Sequence, residues 1–434
     1  MSAKSRAIGT VLNAYLSSRP AKHALYTVGR VLRGGRRRAR FYYRADDPYS
    51  HLLAQVAPRL MSGYGLHVEI IPVAPPGAGG NPAPEMLLEH AISDASLLAE
   101  RYGLSFPHDA TPPSEDRVRR AHAVMLERRT AEQQLQVAAE LGEAVWRDDG
   151  PALAAIVERY GSVSGEEVRP ALEANYAALE RTGHYQPGMI YYGGDWYWGI
   201  DRLHFLEERL QREGLQGSLD LSPGASPELA SMVRSSGANP LRLEVFVSFR
   251  SPYSYLSIPQ LMELRDRHGI EVTVKPVLPM VMRGLPVPTA KRLYIVHDAK
   301  READRLGIPF GHVCDPLGEG IGRCMAVFYG CAVGKGLELE FPASVMRGIW
   351  SEARDVGHLP DLVFLAERAG ISEADVKASI EDSSWKELAK ANREALTDMG
   401  LWGVPSLRIG SYSTWGQDRI PALEAEITRV SQPA

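Results

Sequence analysis

A serine at the junction of a strand and a helix can hold an anion, and Ser251 stands at such a junction. The apolar, β-rich run Leu243 to Phe249 is followed by Arg250-Ser251-Pro252-Tyr253-Ser254-Tyr255-Leu256. Ser251 reads as the N-cap and Pro252 as the first helical residue. A hydroxyl and the N–H groups of a helix start form a donor cluster suited to an anion such as a thiolate. Ser-Pro is also an ordinary way to begin a helix. The second candidate is Gly403-Val404-Pro405-Ser406, where a proline entering a strand fits a cis bond or an edge position. The third is Trp415-Gly416-Gln417-Asp418-Arg419, with Gln417 and Asp418 at the start of the last helix. There they either cap that helix or hold an ammonium and carboxylate pair. The fourth is a helix carrying Lys291, Tyr294, Asp298 and Arg301, which ends in Gly307-Ile308-Pro309-Phe310. Its spacing puts the four polar side chains along one face.

Together these motifs resemble the branch of DsbA-like thioredoxin proteins that holds the kappa-class glutathione transferases and, more closely, the 2-hydroxychromene-2-carboxylate isomerase family. The resemblance covers Leu243 to Ile427 well and Phe41 to Leu210 weakly. It implies glutathione as cofactor, its cysteinyl backbone beside Val404 and Pro405, its γ-glutamyl end on Gln417 and Asp418, and its sulfur facing Ser251 as the catalytic residue. It also implies a substrate pocket formed by Tyr253, Ser254, Lys291, Tyr294, Asp298 and Arg301. The activity implied is isomerisation of a small aromatic or conjugated, electrophilic substrate. The alternatives are a kappa-like transferase and a noncatalytic DsbA-like binding protein. A dithiol oxidoreductase is disfavoured, because Ser251 and Ser254 stand where redox members carry Cys-x-x-Cys. The stretch Gly311 to Gly320 departs from the family's pocket-lining sequence and leaves the substrate open. His312, Cys314 and Cys324 match no zinc spacing, so no metal is expected.

The elements that must position these residues occur twice. Shifting the chain by 204 residues lays Pro48-Tyr49-Ser50 on Pro252-Tyr253-Ser254, Pro72-Val73 on Pro276-Val277, and Asp94, Arg101, Gly103 and Phe106 on Asp298, Arg305, Gly307 and Phe310. Pro187 to Gly194 and Trp198 to Arg202 mirror Pro405 to Gly410 and Trp415 to Arg419. Each copy reads β-α-β, then helices, then β-β-α. The expected fold class is α/β: two tandem thioredoxin-like domains, each with an inserted helical subdomain. The expected divisions are a basic arm (1–40), a first domain with a degenerate site (41–212), a linker (213–240) and a second domain with the active site (241–434). In the first copy Asp47 replaces Ser251, Leu87 replaces Lys291, His90 replaces Tyr294, Gln186 replaces Val404 and Ile200 replaces Gln417, while Asp94 and Asp201 remain. A carboxylate at Asp47 repels a thiolate, which reads as a pseudo-domain. Asp46, Asp47, His51 and His90 form a competing acid–base reading.

Composition sets the frame. The 434 residues are 44% apolar and 24% charged, which suits folded domains rather than a disordered or fibrous chain. A net charge of −4 speaks against nucleic acid as the main partner. No apolar run spans a bilayer, and three cysteines build no disulfide framework, so a cytoplasmic setting is expected. The first forty residues carry ten Lys or Arg and no acid, a basic arm suited to anionic surfaces. They lack the apolar core of a secretory signal, and Val11, Leu12, Tyr15 and Leu16 can form one face of a helix docked on the body. The expected state is a monomer with an internal pseudo-dimer, or a homodimer.

Overall fold

The computed structural model describes residues 3–32, 34–77, 79–221 and 241–431. Most of the expected linker, residues 222–240, lies outside them. The chain divides into two compact units. One comprises Arg19–Gly224 and Pro288–Tyr294, the other Met1–Ser18, Ala225–Val287 and Ile295–Ala434.

The first unit holds β1 (Arg38–Tyr43), β2 (His67–Pro72), β3 (Met189–Tyr192) and β4 (Asp195–Trp198) in the order β2-β1-β3-β4. The β1/β2 pair is parallel and the others antiparallel. The second unit holds β5 (Arg242–Val247), β6 (Glu271–Pro276), β7 (Ser406–Ile409) and β8 (Tyr412–Trp415) in the order β6-β5-β7-β8, with the same polarity. The registers correspond: Arg38 faces His67 as Arg242 faces Glu271, and Tyr42 faces Met189 as Phe246 faces Ser406. The β-α-β and β-β parts of the expected grammar are thus present in both units.

The helices, in chain order, are α1 (Ala3–Ser17), α2 (Arg19–Leu32), α3 (Pro48–Tyr64), α4 (Pro84–Tyr102), α5 (Glu115–Leu126), α6 (Ala131–Trp146), α7 (Gly150–Tyr160), α8 (Gly165–Thr182) and α9 (Leu203–Arg212). Then come α10 (Pro252–His268), α11 (Thr289–Arg305), α12 (Glu319–Val327), α13 (Glu340–Ser351), α14 (Leu359–Arg368), α15 (Glu373–Ser379), α16 (Trp385–Asp398) and α17 (Ile420–Ser431). The periodic stretch Ala121 to Tyr160, which reads as one helical section, is three helices. Thr130 and Gln133 form a capping box that starts α6, and Asp149 caps α7 ahead of Pro151. Helices α8 and α16 lie outside the stretches read as helical, although both separate an apolar from a polar face.

The first forty residues divide as well. In α1, Leu12 and Leu16 pack on the second unit's core, Asn13 Oδ1 accepts the Val313 N–H at 3.2 Å, and Val11 is exposed rather than docked. Helix α2 groups with the first unit. Each unit has its own apolar core, centred on Leu52, Leu53 and Leu141 in one and on Leu256, Phe328 and Phe341 in the other.

Candidate functional site

Ser251 ends the β5-to-α10 turn. Its backbone is extended, as an N-cap requires, and its Oγ accepts the Ser254 N–H at 3.1 Å. The same Oγ lies 3.4 Å from the Val404 carbonyl, to which it donates a long hydrogen bond. The Val404–Pro405 bond is cis, and the Gly416 N–H closes on the Pro405 carbonyl at 2.9 Å. Gly403 admits no side chain, since a Cβ there would sit 1.9 Å from the Trp415 ring. The helix start, the Gly-Val-Pro turn and the entry to β7 therefore meet at one place, as their motifs suggested. Helix α10 carries no acid in its first turn, so none of its own carboxylates offsets its positive end.

The remaining candidates fare differently. Tyr253 donates its hydroxyl to Asp298 Oδ2 at 2.8 Å, and Arg301 pairs with Asp298 Oδ1 at 2.7 Å, so these three form one network around a fully buried carboxylate. Ser254 is fully buried, and its Oγ accepts the Ser248 N–H at 3.2 Å, which fixes the turn instead of lining a pocket. Gln417 is held within the fold. Its side chain is buried, donating to Glu302 at 3.2 Å and accepting from Gln260 at 3.2 Å, so its amide is already engaged. Asp418 stays about a quarter exposed in the single 3-10 turn before α17.

Lys291 and Tyr294 depart furthest from expectation. They share a helix face with Asp298 and Arg301, but they belong to the first unit, where Lys291 Nζ donates to the Gly80 carbonyl at 3.1 Å and sits over the Tyr185 ring. Burial pushes the Lys291 amine down to about 8. Tyr294 packs edge-on against His184, with ring centres 4.8 Å apart. The two are buried in the core of that unit. The pair that sequence reading missed is Arg250 and Asp315, joined by two bonds of 2.7 and 2.8 Å. It clamps the divergent stretch Gly311 to Gly320 beside the residue that precedes Ser251. No spacing rule connects the two positions.

Residues 242–428 match the DSBA-like thioredoxin domain. The chain is 25% identical over 201 residues to 2-hydroxychromene-2-carboxylate isomerase of Pseudomonas putida, a match that covers 43% of this chain and 95% of that enzyme. Among solved structures, an isomerase of that name aligns with 44% of this chain and 96% of its own at 21% identity and a TM-score of 0.38. The cytosolic disulfide reductase DsbM of Pseudomonas aeruginosa aligns with 44% and 98% at 16% identity and a TM-score of 0.36.

The first unit has the same strand order as the DsbA-like region and a different centre. Asp47 caps α3 as Ser251 caps α10, accepting from the Ser50 N–H at 2.9 Å and the Ser50 hydroxyl at 2.6 Å. The strands make Gly188, not Pro187, the counterpart of Pro405, because the Gly199 N–H meets the Gly188 carbonyl as the Gly416 N–H meets that of Pro405. A Cβ at Gly188 would lie 2.7 Å from Asp47 Oδ2, and its φ is +66°. The carboxylate thus fills the space beside the turn. Burial pushes the Asp47 pKa up to about 6 against the lowering effect of its Ser50 bonds. Burial would also raise Asp46, but its ion pair with Arg44 outweighs this and lowers it. His51 takes Gln55 and Glu143 as partners, and His122 Nε2 accepts the Ala45 N–H at 3.1 Å. The acid–base reading therefore loses His51, which serves the core. Among the described residues no cluster of His, Cys, Asp and Glu could hold a metal, and no helix is long and apolar enough to cross a membrane.

Proposed function

We propose that residues 242–428 form a glutathione-dependent isomerase domain, acting on a small aromatic or conjugated substrate, with Ser251 as its catalytic residue. The observation that carries this is the position of Ser251 Oγ at the open end of α10 and against the Val404 carbonyl. The likeness to the Pseudomonas putida isomerase over nearly that enzyme's whole length supports the reaction class.

The fit of glutathione rests on three features. The chain's own cysteines are buried, and burial pushes Cys314 up to about 12 and Cys324 further still, so neither offers a thiolate at neutral pH. The hydroxyl of Ser251 has only a long donor contact and can turn to a thiolate, while the N-terminal end of α10 stabilises the same charge. Asp418, paired with Arg419 at 3.6 Å and about a quarter exposed, presents its charge at the start of the closing helix, and Val404 with Pro405 offers a backbone edge. When bound, glutathione supplies a sulfur nucleophile that adds reversibly to a conjugated carbon, with no net oxidation. Tyr253, Asp298 and Arg301 brace the α10 start against α11 and keep Ser251 in register. The first unit, with its matching sheet, is read as a second copy of the same ancestral domain that has lost the thiol site.

Calorimetric titration of the intact protein with reduced glutathione tests this. Binding is expected, weakened in both Ser251→Ala and Asp418→Ala. With 2-hydroxychromene-2-carboxylate as substrate, Ser251→Ala is expected to lower kcat/KM by about a hundredfold, the usual loss of one donor to a developing anion. Formation of a stable thioether instead of the isomer would mark the domain as a kappa-like transferase. No heat at millimolar glutathione would sink the proposal and leave a noncatalytic binding domain.

A further inference from the structure

Helix α2 is built inside out. The face it turns to its own unit is polar: Arg19 pairs with Asp195 and donates to the Gly194 carbonyl, His23 pairs with the same carboxylate, and the Tyr26 ring packs on Tyr192. The face it turns outward carries Leu25, Val28, Val31 and Leu32, which are 71%, 57%, 62% and 80% exposed. Ala21 and Ala24 are exposed on the same side. Positions 21, 24, 25, 28, 31 and 32 fall on one continuous stripe of a helix with 3.6 residues per turn. The remaining exposed large apolar side chains among the described residues stand alone, one to an element or loop. A stripe of this kind in water implies a cover.

Charge decides which cover. Lys22 on α2 and Arg36 and Arg38 in the segment that follows it are exposed, and the first forty residues contain no acid. A second copy docked stripe to stripe would set these cations against one another. A nucleic acid would answer the charge and leave four aliphatic side chains in water. An anionic bilayer surface answers both, since the acyl boundary takes the aliphatic side chains and the headgroups take the cations.

We infer that α2 is an interfacial anchor that lays its Leu25–Leu32 face into an anionic lipid surface, with Lys22, Arg36 and Arg38 on the headgroups. The anchor is peripheral and reversible. Its apolar stripe holds only aliphatic residues, with no Trp or Phe, so it needs both the apolar and the charged contribution.

Cosedimentation of the full-length protein with two kinds of vesicle tests the inference: phosphatidylcholine alone, and phosphatidylcholine with about a third phosphatidylglycerol. The protein is expected to sediment with the anionic vesicles only, and to be released at about 0.5 M salt, where screening is nearly complete. Leu25→Asp with Leu32→Asp, and Arg36→Glu with Arg38→Glu, are each expected to lower binding at least about tenfold. All these positions are exposed, and an unchanged melting temperature shows that the variants are folded. Absence of sedimentation with anionic vesicles overturns the anchor. So does binding that Leu25→Asp with Leu32→Asp leaves intact, which would mark plain polyanion attraction. A dimer in solution that the same variant makes monomeric, without vesicle binding, would assign the stripe to a second copy.

Discussion

One residue's change between the two N-caps sets the character of each centre. At Ser251 the capping oxygen belongs to a neutral hydroxyl that can donate, whereas at Asp47 it belongs to a carboxylate that only accepts once ionised. Burial holds the folded Asp47 pKa at about 6, above the ordinary 3.8. The folded protein therefore keeps a proton that the unfolded chain releases. The stabilisation from this group is complete below pH 3.8 and is lost as pH rises through 6. His122, pushed by burial and by Arg44 down to about 4, acts in the opposite sense and loses stability as pH falls from 6.5 to 4. The two contributions oppose in the wild-type profile, so a difference measurement is needed. Asp47→Asn keeps the cap and removes the charge. It is expected to be more stable than wild type by about 2 kcal/mol at pH 7.5, with the gap closing toward pH 4. Parallel urea-unfolding midpoints across that range would contradict the assignment.

At the scale of elements, sequence reading reached the junctions and missed what the helices do between them. The strand–Ser-Pro and Gly-Val-Pro signals were legible because a cap, a proline and a glycine each impose a local geometry. Gly403 shows the cost of that geometry: Gly403→Ala forces the Trp415 ring aside and is expected to cost about 1–3 kcal/mol, read as a lower melting temperature. A melting temperature equal to wild type would show the ring to be loosely held. Helix α11 was legible as a helix but not in its partners. Its periodicity aligns Lys291 and Tyr294 with Asp298 and Arg301, yet a face says nothing of what packs on it. Likewise Gln417 lay at the right helix start, but its engagement by Glu302 and Gln260 is a tertiary fact. Lys291→Met follows from this. The unfolded amine protonates below 10.5 and the folded amine only below about 8, so stability falls as pH drops between those values and the full cost is present at pH 7. Lys291→Met is expected to raise the melting temperature at pH 7, to lose that advantage near pH 10.5, and to leave glutathione binding unchanged. A loss of glutathione affinity would return Lys291 to the site.

At the scale of the molecule, two separate cores stand behind two different centres, and this separates stability from function. Leu52 and Leu256 hold equivalent positions in α3 and α10, and both are completely buried. Truncating either to alanine is expected to cost about 2–5 kcal/mol from lost burial and the cavity left behind. The thermodynamic cost is similar; the functional cost is not. Leu256 lies one turn below Ser251 on α10, so a loosened helix there moves the hydroxyl and the start of the helix together, and affinity for glutathione falls. Leu52 supports a helix whose cap is Asp47, which holds no thiolate. Leu52→Ala is therefore expected to melt at a lower temperature than wild type while binding glutathione within about twofold of it at 20 °C, where the unit remains folded. Titration of both variants below their melting temperatures decides the matter. Equal loss of affinity in the two would mean that the first unit takes part in the thiol site, and the assignment of that site to residues 242–428 alone would fail.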